Sequence, residues 1–188
     1  MTGQEALSLL IGVLEQEKLP YMIVGSFSSN YHGIPRSTKD ADIVLQFDPA
    51  NWKSMEKALP EGLILDAQGG FEMVTSTRKE IIRIAGSAFE IEIFHLSLDP
   101  FDQVRFERRE KVPLSPGTPA WVATAEDVVI QKLRWAKGGL RSKDFEDVVN
   151  VLIRNGENLD CTHIEHCAGF TGPWSCWSRR VRWLGNEV

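Results

Sequence analysis

Val24-Gly25-Ser26-Phe27-Ser28-Ser29, followed by Pro35-Arg36-Ser37-Thr38-Lys39-Asp40-Ala41-Asp42-Ile43-Val44, is the stretch that decides how this chain folds. Tyr21 to Val24 is a short, wholly apolar run that reads as a buried strand, and it ends at the Gly25-Ser26 punctuation. Phe27 to Tyr31 then reads as one or two helical turns. Asp40 to Phe47 reads as a second strand, with Asp40 and Asp42 on one face and Ala41, Ile43 and Leu45 on the other. A Gly-Ser turn at a helix N-terminus offers free backbone N–H groups and a hydroxyl, which suits a phosphate. Carboxylates at i and i+2 on a strand project in parallel, about 7 Å apart at Cα, a spacing that brackets divalent ions lying roughly 3.5 to 4 Å apart. Mg²⁺ prefers oxygen ligands and is shared between carboxylates and substrate phosphates. The stretch therefore points to metal-assisted phosphoryl or nucleotidyl transfer.

Outward from this centre, helices and strands alternate, which predicts an α/β fold: a mixed β-sheet flanked by helices. Thr2-Gly3-Gln4-Glu5 has capping-box spacing, and Ala6, Leu9, Leu10, Val13 and Leu14 recur at helical intervals, so a helix opens the chain and Pro20 closes that segment. Asp48-Pro49 is a helix start, with Trp52, Met55 and Leu59 as the apolar stripe. Phe71 to Thr75, Ile81 to Ala85 and Ala88 to Phe94 are β-type runs, the last two joined by Gly86-Ser87 as in a tight hairpin. Glu90 and Glu92 share one face of the last run, and Phe89, Ile91 and Ile93 the other. Pro113 to Pro119 reads as a turn-rich connection before a short strand from Trp121 to Ala123.

Thr124 caps a helix running to about Lys137, stopped by Gly138-Gly139, and a second helix carries Phe145, Val148, Val149 and Leu152 on its apolar face. This pair predicts a C-terminal helical extension. Asn155-Gly156 ends it, and Asp160 caps one more short helix. The expected boundaries are a core over 1–123, the helical extension over 124–167 and an irregular tail over 168–188. The tail holds Trp174, Trp177 and Trp183 with Arg179, Arg180 and Arg182, and shows no periodicity. That abrupt loss is read as a shifted frame or a truncated helical end.

The chain has 188 residues, 43% hydrophobic and 25% charged, with a net charge of −5, the composition of an ordinary globular protein. No apolar run approaches the roughly 18 residues that span a bilayer, and Met1 to Pro20 lacks a secretion signal, so a cytoplasmic protein with no membrane partner is expected. The cysteines, Cys161, Cys167 and Cys176, cluster late in the chain and build no disulfide framework for the body. Cys161-x-His163-x-x-His166-Cys167 has soft zinc ligands in a spacing that matches no closed finger. Acidic residues outnumber basic ones in the first half and the two balance in the second. Lys132, Arg134, Lys137, Arg141 and Lys143 form a run without an acid, either a solvated helix face or a surface that steers a polyanion such as tRNA.

Gly25-Ser26, Asp40-x-Asp42 in an apolar strand and an acidic residue in a later strand together resemble the DNA polymerase β-type nucleotidyltransferase superfamily. Within it, Gly33-Ile34-Pro35-Arg36-x-Thr38-x-Asp40-x-Asp42, Ala125 to Leu133 and Lys143-Asp144-x-x-Asp147 are similar to segments of the small abortive-infection (AbiEii-like) toxins. The resemblance spans about residues 15 to 155. It implies the nucleotidyltransferase fold, Mg²⁺ or Mn²⁺ as cofactor and a nucleoside triphosphate as substrate. It implies further that Gly25 and Ser26 cradle the triphosphate, and that Asp40, Asp42 and a third carboxylate hold metal. That third group is commonly aspartate, whereas the matching strand here offers Glu92, with Glu90 as second choice. Lys132 and Arg36 would meet phosphate oxygens, and Asp144 would support the site, although Asp144 and Asp147 at helical spacing also read as structural partners of Lys143 or Arg141. The implied reaction moves a nucleoside monophosphate onto an acceptor hydroxyl, either an RNA end, as in toxin-type enzymes with a cognate antitoxin, or a small molecule such as an aminoglycoside. A nucleotide-binding regulator that has lost catalysis, marked by Glu92, and a zinc-dependent nucleic-acid binder acting through the tail are the competing readings.

Overall fold

Thr2 and Glu5 close the reciprocal cap that their spacing predicts. Thr2 Oγ1 accepts from the Glu5 N–H at 3.2 Å and Glu5 Oε2 accepts from the Thr2 N–H at 2.7 Å, so helix α1 runs over Gly3–Gln16. The computed structural model describes residues 1–46, 49–72, 77–115, 118–136 and 142–168. Expectations for Phe47, for Asp48 as a cap, for Met73 to Thr75, for Lys137 to Arg141 and for 169–188 lie outside those residues. The apolar stripe of α1 is Leu7, Leu10, Ile11 and Leu14, with Leu9 exposed, and it packs on the strand and helix that carry Leu45 and Met55. Thr2→Ala is expected to cost about 0.5–2 kcal/mol, read from the urea midpoint, because the Glu5 N–H loses its acceptor.

The chain divides into two compact units, 1–27 with 37–123 and 28–36 with 124–188. In the first, seven strands form one mixed sheet: β1 (Tyr21–Val24), β2 (Asp40–Leu45), β3 (Leu63–Glu72), β4 (Thr77–Ile84), β5 (Glu90–His95), β6 (Glu110–Ser115) and β7 (Thr118–Val122). Their spatial order is β3-β4-β5-β2-β1-β7-β6. β1 runs antiparallel to β2 and parallel to β7, and β2 runs parallel to β5, a pairing across 44 residues of intervening chain that no local pattern announces. Helix α2 (Gly25–His32) begins directly at the end of β1, and α3 (Pro49–Ala58) and α4 (Pro100–Arg108) complete the described helices flanking the sheet. Met22, Ile43, Leu45, Met55, Ile82, Ile91 and Ile93 are its fully buried core.

Three elements differ from the expectation. β3 starts at Leu63, well before the anticipated Phe71, and its register shifts between Asp66 and Gly70, so its pattern does not alternate cleanly. Pro113 and Pro119 do not mark a loop: they face each other in the β6–β7 ladder, at its register shift, with β6 on the sheet edge where a missing N–H is tolerated. Helix α4 was not anticipated. Asp99 Oδ1 accepts from the N–H groups of Phe101 and Asp102 at 2.9 and 3.3 Å, and Pro100 occupies the first turn.

In the second unit, α5 (Ala125–Ala136), α6 (Ser142–Asn155) and α7 (Cys161–Ala168) pack together, α5 touching both of the others. Thr124 caps α5, and Asp160 Oδ1 caps α7 by accepting from the His163 N–H at 3.0 Å. Residues 28–36 belong to this helical unit. Arg154 Nη1 donates to the Gly33 carbonyl at 2.8 Å and Asn155 Nδ2 to the His32 carbonyl at 2.7 Å. A Cβ on Gly33 would come within 2.9 Å of the Ser29 carbonyl oxygen and 3.1 Å of the Val151 nitrogen, so the loop packs closely on the α6 backbone.

Candidate functional site

The carboxylates come together by register. Asp40 stands opposite Glu90 and Asp42 opposite Glu92 in the parallel β2–β5 ladder, so all four acidic side chains share one face of the sheet. Their apolar neighbours, Ala41, Ile43, Ile91 and Ile93, are fully buried on the other face and lock that register, since a slip of one residue would bury the acids. Asp42 also lies opposite Val24, the last residue of β1, which brings it to the Gly25 turn. Gly25 has φ +60°, and a Cβ built there would sit 1.8 Å from Asp42 Oδ2. Glycine is therefore required twice, for the left-handed backbone and for the carboxylate pressed against it. Gly25→Ala is expected to leave a folded protein that is less stable by about 1–3 kcal/mol, and to lower any Asp42-dependent activity by roughly 10- to 100-fold through displacement of that carboxylate. Thermal melts and turnover measured on the same sample check both.

Asp40 is oriented by Thr38, whose hydroxyl donates to Asp40 Oδ1 at 2.8 Å. Ser26 is buried in the first turn of α2, one residue past Gly25. Glu92 has a partner that the sequence did not suggest: Lys79 Nζ on β4 lies 2.9 Å from Glu92 Oε1. Glu90 is bound in the same way by Arg83, which also reaches Asp66 on β3 at 3.0 Å. Among the described residues no three His, Cys, Asp or Glu side chains are gathered as a metal-holding group. The donor chemistry nonetheless suits Mg²⁺ or Mn²⁺: carboxylates only, in register on one face, beside a glycine-serine bend at a helix start.

The three remaining expected site residues, Lys132, Arg36 and Asp144, lie in the helical unit, where each meets a protein partner. Lys132 is buried, its ammonium 2.9 Å from Asp144 Oδ1 and 2.8 Å from Asp147 Oδ2. Arg36 grips the same Asp147 with two parallel hydrogen bonds, Nε to Oδ1 at 2.7 Å and Nη2 to Oδ2 at 2.9 Å. Asn30 holds the Arg36 backbone from both sides, accepting from its N–H at 3.0 Å and donating to its carbonyl at 2.7 Å. Burial alone would raise the Asp147 pKa, but the hydrogen bonds from Arg36 and Lys132 outweigh it and hold the carboxyl below its usual range. Asp144 and Asp147 thus pair with Lys132, and Asp147 also with Arg36, partners that their helical spacing does not suggest; Arg141 lies outside the described residues. Lys132 therefore neutralises two buried carboxylates that depend on its charge.

The basic run is dispersed in the same way: Lys132 is buried, Arg134 half-buried and Lys143 exposed, while Lys137 and Arg141 lie outside the described residues. The Cys/His motif forms no zinc cluster among the described residues. His163 Nε2 sits 3.0 Å from the fully buried Asp127, Cys167 Sγ lies 3.7 Å from His163 Nδ1, and Cys161 is exposed.

Comparison with known proteins agrees with this architecture. No family model matches the chain, and no curated protein matches it in sequence. Among solved structures, it is similar to the solution structure of the antibiotic-resistance factor ANT(2'')-Ia, with a TM-score of 0.60, 12% identity, and coverage of 100% of this chain and 97% of that one. It is similar also to ANT(2'')-Ia in complex with adenylyl-2''-tobramycin, with a TM-score of 0.62, 12% identity, and coverage of 89% and 96%. An antigenic nucleotidyltransferase-like protein from Paracoccidioides brasiliensis matches with a TM-score of 0.54, 17% identity, and coverage of 80% and 75%. No helix among the described residues is long and apolar enough to cross a membrane. The seven-stranded mixed sheet with flanking helices is the nucleotidyltransferase fold.

Proposed function

We propose that this chain is a Mg²⁺- or Mn²⁺-dependent nucleotidyltransferase that moves a nucleoside monophosphate from a nucleoside triphosphate to an acceptor hydroxyl. The observation that carries the reading is the pairing of Asp40 with Glu90 and Asp42 with Glu92 on one sheet face, with Asp42 pressed against Gly25. In this reading Asp40 and Asp42 hold the metal, Glu92 completes the set, and the backbone N–H groups after Gly25 with the Ser26 hydroxyl receive the triphosphate. Bound divalent ions would stabilise charge on the attacking and leaving oxygens. The chain's own part is positioning: β2 and β5 fix the carboxylates, Thr38 fixes Asp40, and the Gly25 turn sets how closely a phosphate can approach Asp42.

The acceptor is either an RNA end or a small hydroxylated molecule, and the overall likeness to ANT(2'')-Ia supports the second as much as the toxin-like motifs support the first. Incubation with Mg²⁺, each labelled nucleoside triphosphate and either total tRNA or an aminoglycoside separates them, since label appears on one acceptor only. A second reading, a nucleotide-binding protein without turnover, is favoured by the Lys79 ammonium on Glu92. Nucleotide binding with no pyrophosphate released on any acceptor would establish it.

A further inference from the structure

The Glu92 carboxylate is claimed by a cation before any metal arrives. Lys79 Nζ lies 2.9 Å from Glu92 Oε1, and both side chains are only about a quarter exposed, at 23% and 22%. Lys79 stands opposite Phe94 in the β4–β5 ladder, and its ammonium lies 5.8 Å from the centre of that ring, which favours the charge at this spot. The rest of the face repeats the pattern, with Arg83 on Glu90 and Asp66. The two β4 cations on this face, Lys79 and Arg83, therefore serve the β5 glutamates, whereas the two β2 aspartates are positioned by Thr38 and by the Gly25 turn. A glutamate is one methylene longer than the aspartate common at this place in the fold. That extra reach lets Glu92 turn sideways along the sheet to Lys79.

We propose that Lys79 is a built-in competitor of the divalent ion for Glu92, so that the metal centre has two resident carboxylates and a third that must first be released from an ammonium. The proposal rests on the nucleotidyltransferase reading of the same face and adds to it a residue that sets metal affinity. Metal binding at such a site displaces an ion pair as well as water. Removing Lys79 then strengthens binding by freeing Glu92, whereas keeping a cation in its place preserves the block.

Mn²⁺ titration followed by electron paramagnetic resonance of the free ion tests this without turnover, on the full chain and with no nucleotide present. Lys79→Met is expected to tighten Mn²⁺ roughly three- to ten-fold, the range expected for one partly exposed ion pair, and Lys79→Arg to leave it near the wild-type value. The Glu92→Gln background separates competition from simple removal of a nearby positive charge, because there Lys79→Met has nothing to release and should change nothing. Equal tightening in both backgrounds, or none in either, would overturn the proposal while leaving the metal reading intact, provided Asp42→Asn still abolishes binding. Absence of Mn²⁺ binding in wild type and in Lys79→Met alike would remove both. Circular dichroism of each variant confirms that the sheet is retained.

Discussion

Asp42→Asn should lower nucleotidyl transfer by roughly 10²–10³-fold or more, while the melting temperature stays within a few degrees of wild type. The substitution keeps the size of the side chain and removes its charge, so the contact with the Gly25 backbone survives and only the electrostatic function is lost. A metal-held charge that stabilises attacking and leaving oxygens supplies several kcal/mol to the transition state, and each 1.36 kcal/mol is a factor of ten in rate. Asp42 is expected to be the more sensitive of the two β2 aspartates, because it alone is bracketed by Val24 on one side and Glu92 on the other. Pyrophosphate release under saturating Mg²⁺ is the measurement. A variant that retains a third or more of wild-type turnover would remove Asp42 from the reaction.

The second large effect is on stability. Lys132→Met should destabilise the protein by about 3–5 kcal/mol, since it leaves Asp144 and Asp147 buried with one cation withdrawn. The side chains involved are 6%, 2% and 3% exposed, so water cannot readily take the place of the ammonium. Urea unfolding of the full chain reads the loss. A lysine whose business was phosphate would instead cost activity and leave the midpoint unchanged. The same network predicts the direction of acid sensitivity. The Asp147 pKa is held below its unfolded value, so its contribution is fully present above about pH 4 and is lost as the pH falls through the folded value. Arg36→Ala should flatten that acid limb, because it removes the bidentate partner.

What could be read from the sequence was local. The run from Tyr21 to Leu45 declared itself because a buried strand, a glycine turn and an acid-alternating strand each carry their own signature within a few residues. The edge elements did not. Asp66, the register shift before Gly70, and Pro113 disguise β3 and β6 as loops, and α4 is so rich in charge that only its Asp99-Pro100 cap marks it. The site was half legible for the same reason. Asp40 and Asp42 are neighbours in sequence, whereas the pairing of Glu92 with Lys79 and of Arg36 with Asp147 depends on which strand or helix lies alongside. Lys132 stands out by its motif, but its burial beside Asp144 and Asp147 depends on how α5 and α6 pack.

Residues 28–36 bear on how the molecule can be taken apart. Between the bend that ends β1 and the first aspartate of β2, the polypeptide makes an excursion whose anchors, Asp147, Arg154 and Asn155, all come from α6. A shortened gene ending at Ala123 would thus take all three anchors away and leave Gly33 and Arg36 on a slack tether.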